Sequence, residues 1–126
     1  GDYRLFEKIM PMADDAEFCR KYDAIKQRNK RRLAKYLKQK QGIEINPDSL
    51  IDVQCKRLHE YKRQLLKCLH IIYLYKQVKK NPDFLSKPIT FIFGAKAAPG
   101  YQRAKEIIRL INSIGDMVNN DPATKD

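Results

Sequence analysis

Several features of secreted and membrane proteins are absent from this 126-residue sequence. No apolar stretch approaches the roughly 20 residues that a membrane-spanning helix needs, and the opening GDYRLFEKIM lacks the apolar core of a signal peptide. The three cysteines form no C-x-x-C pair and have no zinc-like spacing with the two histidines. We therefore expect no membrane partner and no bound metal. A scattered, odd-numbered set of thiols favours a reducing, cytoplasmic setting.

Recognisable catalytic machinery is also missing from the sequence. It contains no paired carboxylates and no Ser/His/Asp arrangement that would indicate proton transfer or a nucleophile. The loop GAKAAPG, residues 94–100, matches neither G-x-x-x-x-G-K-[ST] nor G-x-G-x-x-G, so it is neither a Walker A loop nor a dinucleotide-binding fingerprint. The sequence supplies cations for a site, but no evident group that carries out a reaction.

Positive charge, by contrast, is abundant and confined to one segment. The net charge is +11, and residues 20–40 hold ten lysines and arginines against a single acid, Asp23. A basic helix over residues 13–41 can be a solvated face, pair with acids elsewhere in a larger assembly, or bind nucleic acid. Because no nucleic-acid-reading motif accompanies the charge, a basic α/β nucleic-acid-binding module is kept as the alternative function rather than the main one.

The basic segment has the signals of a long helix. Asp14 and Asp15 are candidate N-caps, and Gly42 would end the helix. Residues 46–48, Asn-Pro-Asp, predict a turn after it. The apolar side of the helix is expected to consist of Phe18, Tyr22, Ile25, Leu33, Tyr36 and Leu37.

Two strand patterns follow, about 35 residues apart. Residues 51–55 alternate between apolar and polar, whereas residues 89–93, ITFIF, are apolar on both faces, as in a buried parallel strand. Between them, helical spacing runs from Glu60 to about Lys80, and the Asn-Pro-Asp of residues 81–83 ends it. The apolar face of this middle helix is expected to hold Tyr61, Leu65, Leu69 and Ile72, with Tyr73 packed as well.

The element order is completed by a last helix. Its apolar residues recur at spacings of three and four from Ala104 to Val118. Helix, strand, helix, strand, helix is half of an open α/β domain, and residues 49–126 form a βαβα portion with one parallel βαβ unit. Two parallel strands leave exposed sheet edges, so we expect this chain to be a piece of a longer protein.

The least ordinary residues follow the two strands. Lys56 and Arg57 close the first strand, with His59 and Lys62 just beyond, and the second strand leads into a loop that contains Gly94, Lys96 and Gly100. Ligands of open α/β sheets bind beyond the carboxyl ends of the strands, where glycines, helix N-termini and cations suit phosphate. A solvated strand end and a tight turn with a solvated lysine are the alternatives. Two further residues have open roles: His59 suits a structural hydrogen bond, and Tyr101 either packs or forms the rim of a site.

Two runs carry a family resemblance: INPDSLIDVQCKRLHEYKRQLLKCLHIIYLY and FGAKAAPGYQRAKEIIRLINSIGDMVNND. K-R-x-H-E-Y-K-R-Q with G-x-K-A-A-P-G-Y at this separation resembles the glycogen/starch/maltodextrin phosphorylases. Such enzymes use pyridoxal phosphate and inorganic phosphate to release glucose 1-phosphate from α-1,4-glucans. They are usually homodimers with two Rossmann-like domains of the glycosyltransferase-B type.

The resemblance implies a role for each matched residue. Lys56 resembles the lysine beside the cofactor phosphate, and Arg57 and Lys62 resemble the residues that bind the substrate phosphate. His59 and Tyr101 match positions at the active-site entrance. The chain would be a fragment of the C-terminal, cofactor-binding domain.

Two parts of the family's machinery are not found in this sequence. The Schiff-base lysine motif G-T-G-N-M-K is absent, and so is the sugar-binding domain. We therefore expect the isolated chain to be inactive and to hold no covalent cofactor. A different phosphate-binding α/β protein that shares only the local loops remains a further hypothesis.

Overall fold

The computed structural model describes residues 3–124. These residues divide into two compact units, with the boundary between Asp48 and Ser49. The first unit contains a 3₁₀ helix, Tyr3–Asp14, and a long helix α1, Ala16–Gln41. The second unit contains two strands, two long helices and three short 3₁₀ helices.

Both ends of α1 are fixed by the residues that the sequence indicated. The Asp15 carboxylate accepts hydrogen bonds from the backbone N–H groups of Glu17 at 2.9 Å and Phe18 at 3.1 Å, which satisfies two donors that a helix leaves free at its start. Gly42 adopts the left-handed conformation with φ of 69° and donates to the Lys38 carbonyl, as glycine does at many helix ends. The predicted helix is confirmed, with Asp15 as its N-cap.

The apolar side of α1 has no core to join within its own unit. None of the 26 residues of α1 is buried, and Tyr22 and Ile25 are 53% and 49% exposed. The turn after the helix is present as predicted, and the N–H of Asp48 donates to the Asn46 side chain at 2.8 Å. The Gln27 side chain donates to the Pro47 carbonyl at 3.2 Å, so this turn is tied to the middle of α1.

The second unit is built on two strands, β1 (Leu50–Cys55) and β2 (Ile89–Gly94). They pair in parallel, and the register runs from Leu50 opposite Ile89 to Cys55 opposite Gly94. Helix α2, Gln64–Lys80, connects the strands, and helix α3, Gln102–Asn119, follows β2. The prediction of an α/β chain with a parallel strand pair is confirmed. Short 3₁₀ helices span Glu60–Lys62, Pro82–Phe84 and Pro122–Thr124.

The core of the second unit consists of two small clusters of buried side chains. One contains Leu58, Ala104 and Ile107, and the other contains Cys68, Ile71 and Ile114. Residues of α3 take part in both clusters, so this helix packs against the segment after β1 and against α2. The first cluster includes Leu58, which belongs to the segment that follows the carboxyl end of β1.

The predicted apolar face of α2 is wrong for Leu65 and Leu69, whereas Ile72 does pack against the buried cluster. The structure buries Gln64, Cys68 and Ile71, whereas Leu65 and Leu69 are 46% and 56% exposed. Helix α2 is apolar around most of its circumference, so its spacing does not select one stripe. Cys68 and Ile71 instead form a buried cluster with Ile114, and Phe91 and Phe93 of β2 pack against that cluster. Tyr61 and Tyr73, expected to pack, are exposed.

Within residues 3–124, no helix has both the length and the apolar character that crossing a membrane would need.

Candidate functional site

The ends of the two strands lie side by side and continue to pair after the strands end. The backbone N–H of Lys56 donates to the Gly94 carbonyl at 3.0 Å, and the N–H of Leu58 donates to the Lys96 carbonyl at 3.1 Å. The two loops therefore leave the sheet together. Between them lies an open depression, lined by Cys55, Lys56, Arg57, Gly94, Ala95 and Lys96.

Gly94 allows this close approach of the two strand ends. A Cβ atom at Gly94 would lie 2.7 Å from the Sγ atom of Cys55, which is inside van der Waals contact, so a side chain here would require the Cys55 sulfur to move. Gly100 has no atom within 4 Å of its ideal Cβ position and does not adopt a positive φ. The predicted role of glycine in close backbone approach therefore applies to Gly94, and nothing in the structure explains Gly100.

Three cations face solvent around the depression. Lys56, Arg57 and Lys96 are exposed, and among residues 3–124 no carboxylate lies within ion-pairing distance of any of them. Cations grouped without acidic partners create a positive potential that attracts an anion. The guanidinium group of Arg57 adds a planar fork of donors that matches phosphate oxygens. The donor set thus fits a phosphate group.

Lys62, also predicted to bind phosphate, is not among the residues that line the depression. It ends the 3₁₀ helix Glu60–Lys62, and its Nζ atom lies 5.4 Å from the centroid of the Tyr61 ring. The backbone carbonyl of Lys62 accepts a hydrogen bond from the side chain of Gln54 at 3.2 Å. The chain's own contacts therefore hold Lys62 near the site but direct its ammonium group toward an aromatic ring.

His59 and Tyr101, predicted together at an entrance, do lie together. Their ring centroids are 5.3 Å apart in an edge-on arrangement. The Tyr101 hydroxyl donates to Glu60 Oε2 at 2.8 Å, and this bond to a carboxylate raises the pKa of Tyr101. Arg103 lies 3.5 Å from the other oxygen of Glu60. Glu60 and Arg103 are the members of this group that the sequence did not single out, because nothing in the local spacing around Glu60 indicates partners more than 40 positions away.

Two glutamines that the sequence analysis missed hold the segment between β1 and α2. The Nε2 atom of Gln64 donates to the Arg57 carbonyl at 3.2 Å, and its Oε1 atom accepts from the N–H of His59 at 3.5 Å. Gln54 binds the other end of the segment through Lys62. Gln64 stands at helical spacing from Cys68 and Ile71, but the sequence does not show that this stripe is the buried one, so the need of Gln64 for hydrogen-bond partners became visible only in the structure.

Adjacent parallel strand ends with unpaired cations are typical of an α/β phosphate-binding segment. The carbohydrate phosphorylase family model matches residues 1–126, and the chain belongs to that family. It is 50% identical to the human and rabbit muscle forms of glycogen phosphorylase over all 126 of its residues. It is 46% identical to the sheep brain form over 125 residues, 99% of the chain.

These matches also define how much of a relative the chain represents. The chain spans about 15% of the length of each of these relatives. Because the family model covers the whole chain, the hypothesis of an unrelated protein that shares only the two loops is wrong.

Proposed function

We propose that the protein to which this chain belongs is an α-glucan phosphorylase, which transfers terminal α-1,4-glucosyl units to inorganic phosphate and yields glucose 1-phosphate. The observation that carries this proposal is the group of unpaired cations at two adjacent strand ends, in a chain of the carbohydrate phosphorylase family. The relatives are named for phosphorolysis of glycogen, and the preferred glucan of this protein is left open.

Within that function, five of the predicted site residues receive a role. Lys56 holds the phosphate of pyridoxal phosphate, and Arg57 and Lys62 bind the substrate phosphate. His59 and Tyr101 form the rim of the active-site entrance, where Glu60 fixes the Tyr101 hydroxyl. When bound, pyridoxal phosphate supplies a phosphate group that exchanges a proton with the substrate phosphate. The residues of this chain hold and orient both anions.

The electrostatics of such a site explain why cations are concentrated here. Two phosphate groups in a partly dehydrated cleft repel each other by several kcal/mol at roughly 4–5 Å and an effective dielectric constant of about 20. Lys56, Arg57 and Lys96 offset this repulsion because their charges are not neutralised by carboxylates of the described chain. Fixed cations of this kind are arranged before the reaction and do not need to reorganise during it.

The wider architecture is part of the same proposal. The parallel pair β1 and β2 would belong to a Rossmann-like domain of the glycosyltransferase-B type in the C-terminal half of the parental protein. That protein would be a cytoplasmic homodimer. The cofactor's Schiff-base lysine would come from a G-T-G-N-M-K motif that this sequence does not contain. We therefore infer that the isolated chain does not catalyse phosphorolysis.

The test is made in the full-length protein with maltodextrin and inorganic phosphate. We expect release of glucose 1-phosphate by the parental protein. Arg57→Ala and Lys62→Ala should each raise the KM for phosphate and lower kcat, because a charge-assisted bond to phosphate contributes about 1.5–3 kcal/mol. Arg109→Ala, which removes an exposed cation of α3, is the matched control and should leave both constants unchanged.

Two results would contradict the proposal. A parental protein without phosphorolytic activity would contradict the function, and unchanged phosphate kinetics in both variants would contradict the residue roles. The alternative of nucleic-acid binding rests on the charge of α1 alone, and no other observation on residues 3–124 favours it.

A further inference from the structure

The segment that carries Arg57 makes hydrogen bonds through its backbone on two edges. On one edge, the N–H group of Lys56 donates to the Gly94 carbonyl at the end of β2, and that of Leu58 donates to the Lys96 carbonyl in the loop that follows. The Arg57 carbonyl and the His59 N–H bond instead to the side chain of Gln64, which does not belong to that loop, so they form the second edge. No strand of the described chain pairs with this second edge, because the sheet contains β1 and β2.

Gln64 takes the place of a strand on that second edge. The nitrogen of its side-chain amide donates to the Arg57 carbonyl, and the oxygen accepts from the His59 N–H. The side chain is 1% exposed, so water does not compete for these bonds. Gln64 is also the first residue of α2, and it therefore ties the extended segment to a packed helix.

Leu58 completes the attachment of this segment. Its side chain is buried against Ala104 and Ile107 of α3, between two residues whose own side chains are exposed. The backbone around Arg57 is thus held by β2 on one edge, by Gln64 on the other, and by the core below. A side chain that leaves a fixed backbone loses less conformational entropy when it binds an anion.

We propose that Gln64 is a positioning residue for phosphate: its buried amide holds the backbone at Arg57 and His59 so that the guanidinium group of Arg57 is presented at the depression. This inference rests on the proposed function. It assigns Gln64 an effect through Arg57, without contact between the amide and phosphate.

The test again uses the full-length protein. Gln64→Met keeps the length and approximate volume of the side chain but removes both hydrogen bonds. We expect the KM for phosphate to rise about tenfold while the KM for maltodextrin stays within about twofold, because small displacements of a positioned group can cost up to about a hundredfold in rate. Gln64→Glu keeps the acceptor for His59 and loses the donor for Arg57, and it should shift the phosphate KM in the same direction. Gln77→Met on the same helix is the matched control.

A double-mutant cycle separates positioning from general stability. If Gln64 acts through Arg57, then adding Gln64→Met to Arg57→Ala should raise the KM for phosphate little further. A purely structural role would instead lower the thermal midpoint, affect both substrates equally, and add fully to Arg57→Ala. That pattern, or an unchanged phosphate KM, would overturn the inference.

Failure of the inference can be told apart from failure of the proposed function. An inactive parental protein, or an Arg57→Ala variant with normal phosphate kinetics, would count against the function. A normal phosphate KM in Gln64→Met, with Arg57→Ala impaired, would count against Gln64 alone. If Gln64→Met is insoluble, Gln64→Glu is judged by the same criteria, and insolubility of both variants would assign Gln64 to folding and reject the positioning role.

Discussion

The two units of this chain each contain an amphipathic helix, but the helices differ in how much of their apolar side is buried. Helix α1 has 26 residues with apolar side chains on one side, and none of them is buried. Helix α3 has 18 residues and buries Ala104, Ile107 and Ile114. Within its own unit, α3 has a sheet and a second helix to pack against, whereas α1 has a 3₁₀ helix and a turn. An amphipathic pattern therefore predicts a helix, but burial depends on a partner surface.

Local interactions account for more of the stability in the first unit. The N-cap Asp15, the C-cap Gly42 and the ion pair between Glu17 and Lys21 at 2.7 Å all act within one or two helical turns. A cap contributes about 1 kcal/mol and an exposed ion pair less. In the second unit, α3 adds buried contacts through Ala104, Ile107 and Ile114, and burying a large apolar side chain stabilises by about 1.5–3 kcal/mol. Substitutions should therefore have different consequences in the two units.

The largest difference is expected from matched isoleucine truncations. Ile107→Ala removes a side chain that is 5% exposed and lies in the buried cluster with Leu58 and Ala104, and it should lower the free energy of unfolding of the second unit by about 2–5 kcal/mol. Ile25→Ala in α1 removes a half-exposed side chain and should change stability by less than about 0.5 kcal/mol. Urea denaturation followed by circular dichroism measures both. Equal losses would mean that α1 is buried against a partner surface.

Smaller losses of stability are expected from alanine substitutions at two glycines, and the cause of the loss should differ between them. Gly94→Ala places a methyl group against the Cys55 sulfur and should cost about 1–3 kcal/mol by overpacking. Gly42→Ala meets no neighbouring atom but requires φ of 69°, and it should cost about 1–2 kcal/mol through the left-handed backbone alone.

Rescue distinguishes the two causes. Adding Cys55→Ala removes the sulfur, so it should restore much of the stability lost in Gly94→Ala. Cys55→Ala should not restore any of the stability lost in Gly42→Ala. A double-mutant cycle on thermal or urea denaturation gives the coupling energy, and a coupling of zero between positions 55 and 94 would refute the packing explanation.

Much of the second unit could be predicted from local signals. The change from alternating to helical spacing located β1 and α2, the ITFIF run located β2, and the strand ends brought Lys56, Arg57 and Lys96 together as parallel pairing requires. Each of these inferences uses residues that are near one another in sequence or follows from a general rule of parallel sheets.

The features that sequence could not provide depend on distant contacts. The buried stripe of α2 was mispredicted because Leu65 and Cys68 are both apolar, and only the fit to Phe91 and Ile114 selects between their faces. The bond between Glu60 and Tyr101 joins residues 41 positions apart. The direction of the Lys62 ammonium group depends on a rotamer, which spacing does not determine. Local pattern thus predicts elements, and packing decides faces and side-chain directions.

The smallest expected effect concerns two carboxylates whose pKa values are lowered by lysine. Asp121 accepts hydrogen bonds from Lys79 at 2.8 Å and from the Tyr75 hydroxyl at 2.6 Å, and these partners lower its pKa to about 2. In the first unit, the exposed Lys38 lowers the pKa of Glu44, which is itself exposed. Only the Asp121 group links two elements of a packed unit, because Tyr75 and Lys79 belong to α2 and Asp121 follows α3.

The pH dependence should follow from the sign of these shifts. The folded-state pKa of Asp121, about 2, lies below the ordinary value of about 3.9. Its ionised form therefore stabilises the fold above about pH 4, and that stabilisation disappears as the pH falls through about 2. Asp121→Asn should reduce the change in the thermal midpoint of the second unit between pH 4 and pH 2. Glu44→Gln should have a weaker effect that about 1 M salt abolishes, because screening is strong between exposed charges. Equal and salt-independent effects at both positions would show that an exposed ion pair of α1 matters as much as one that joins two packed elements.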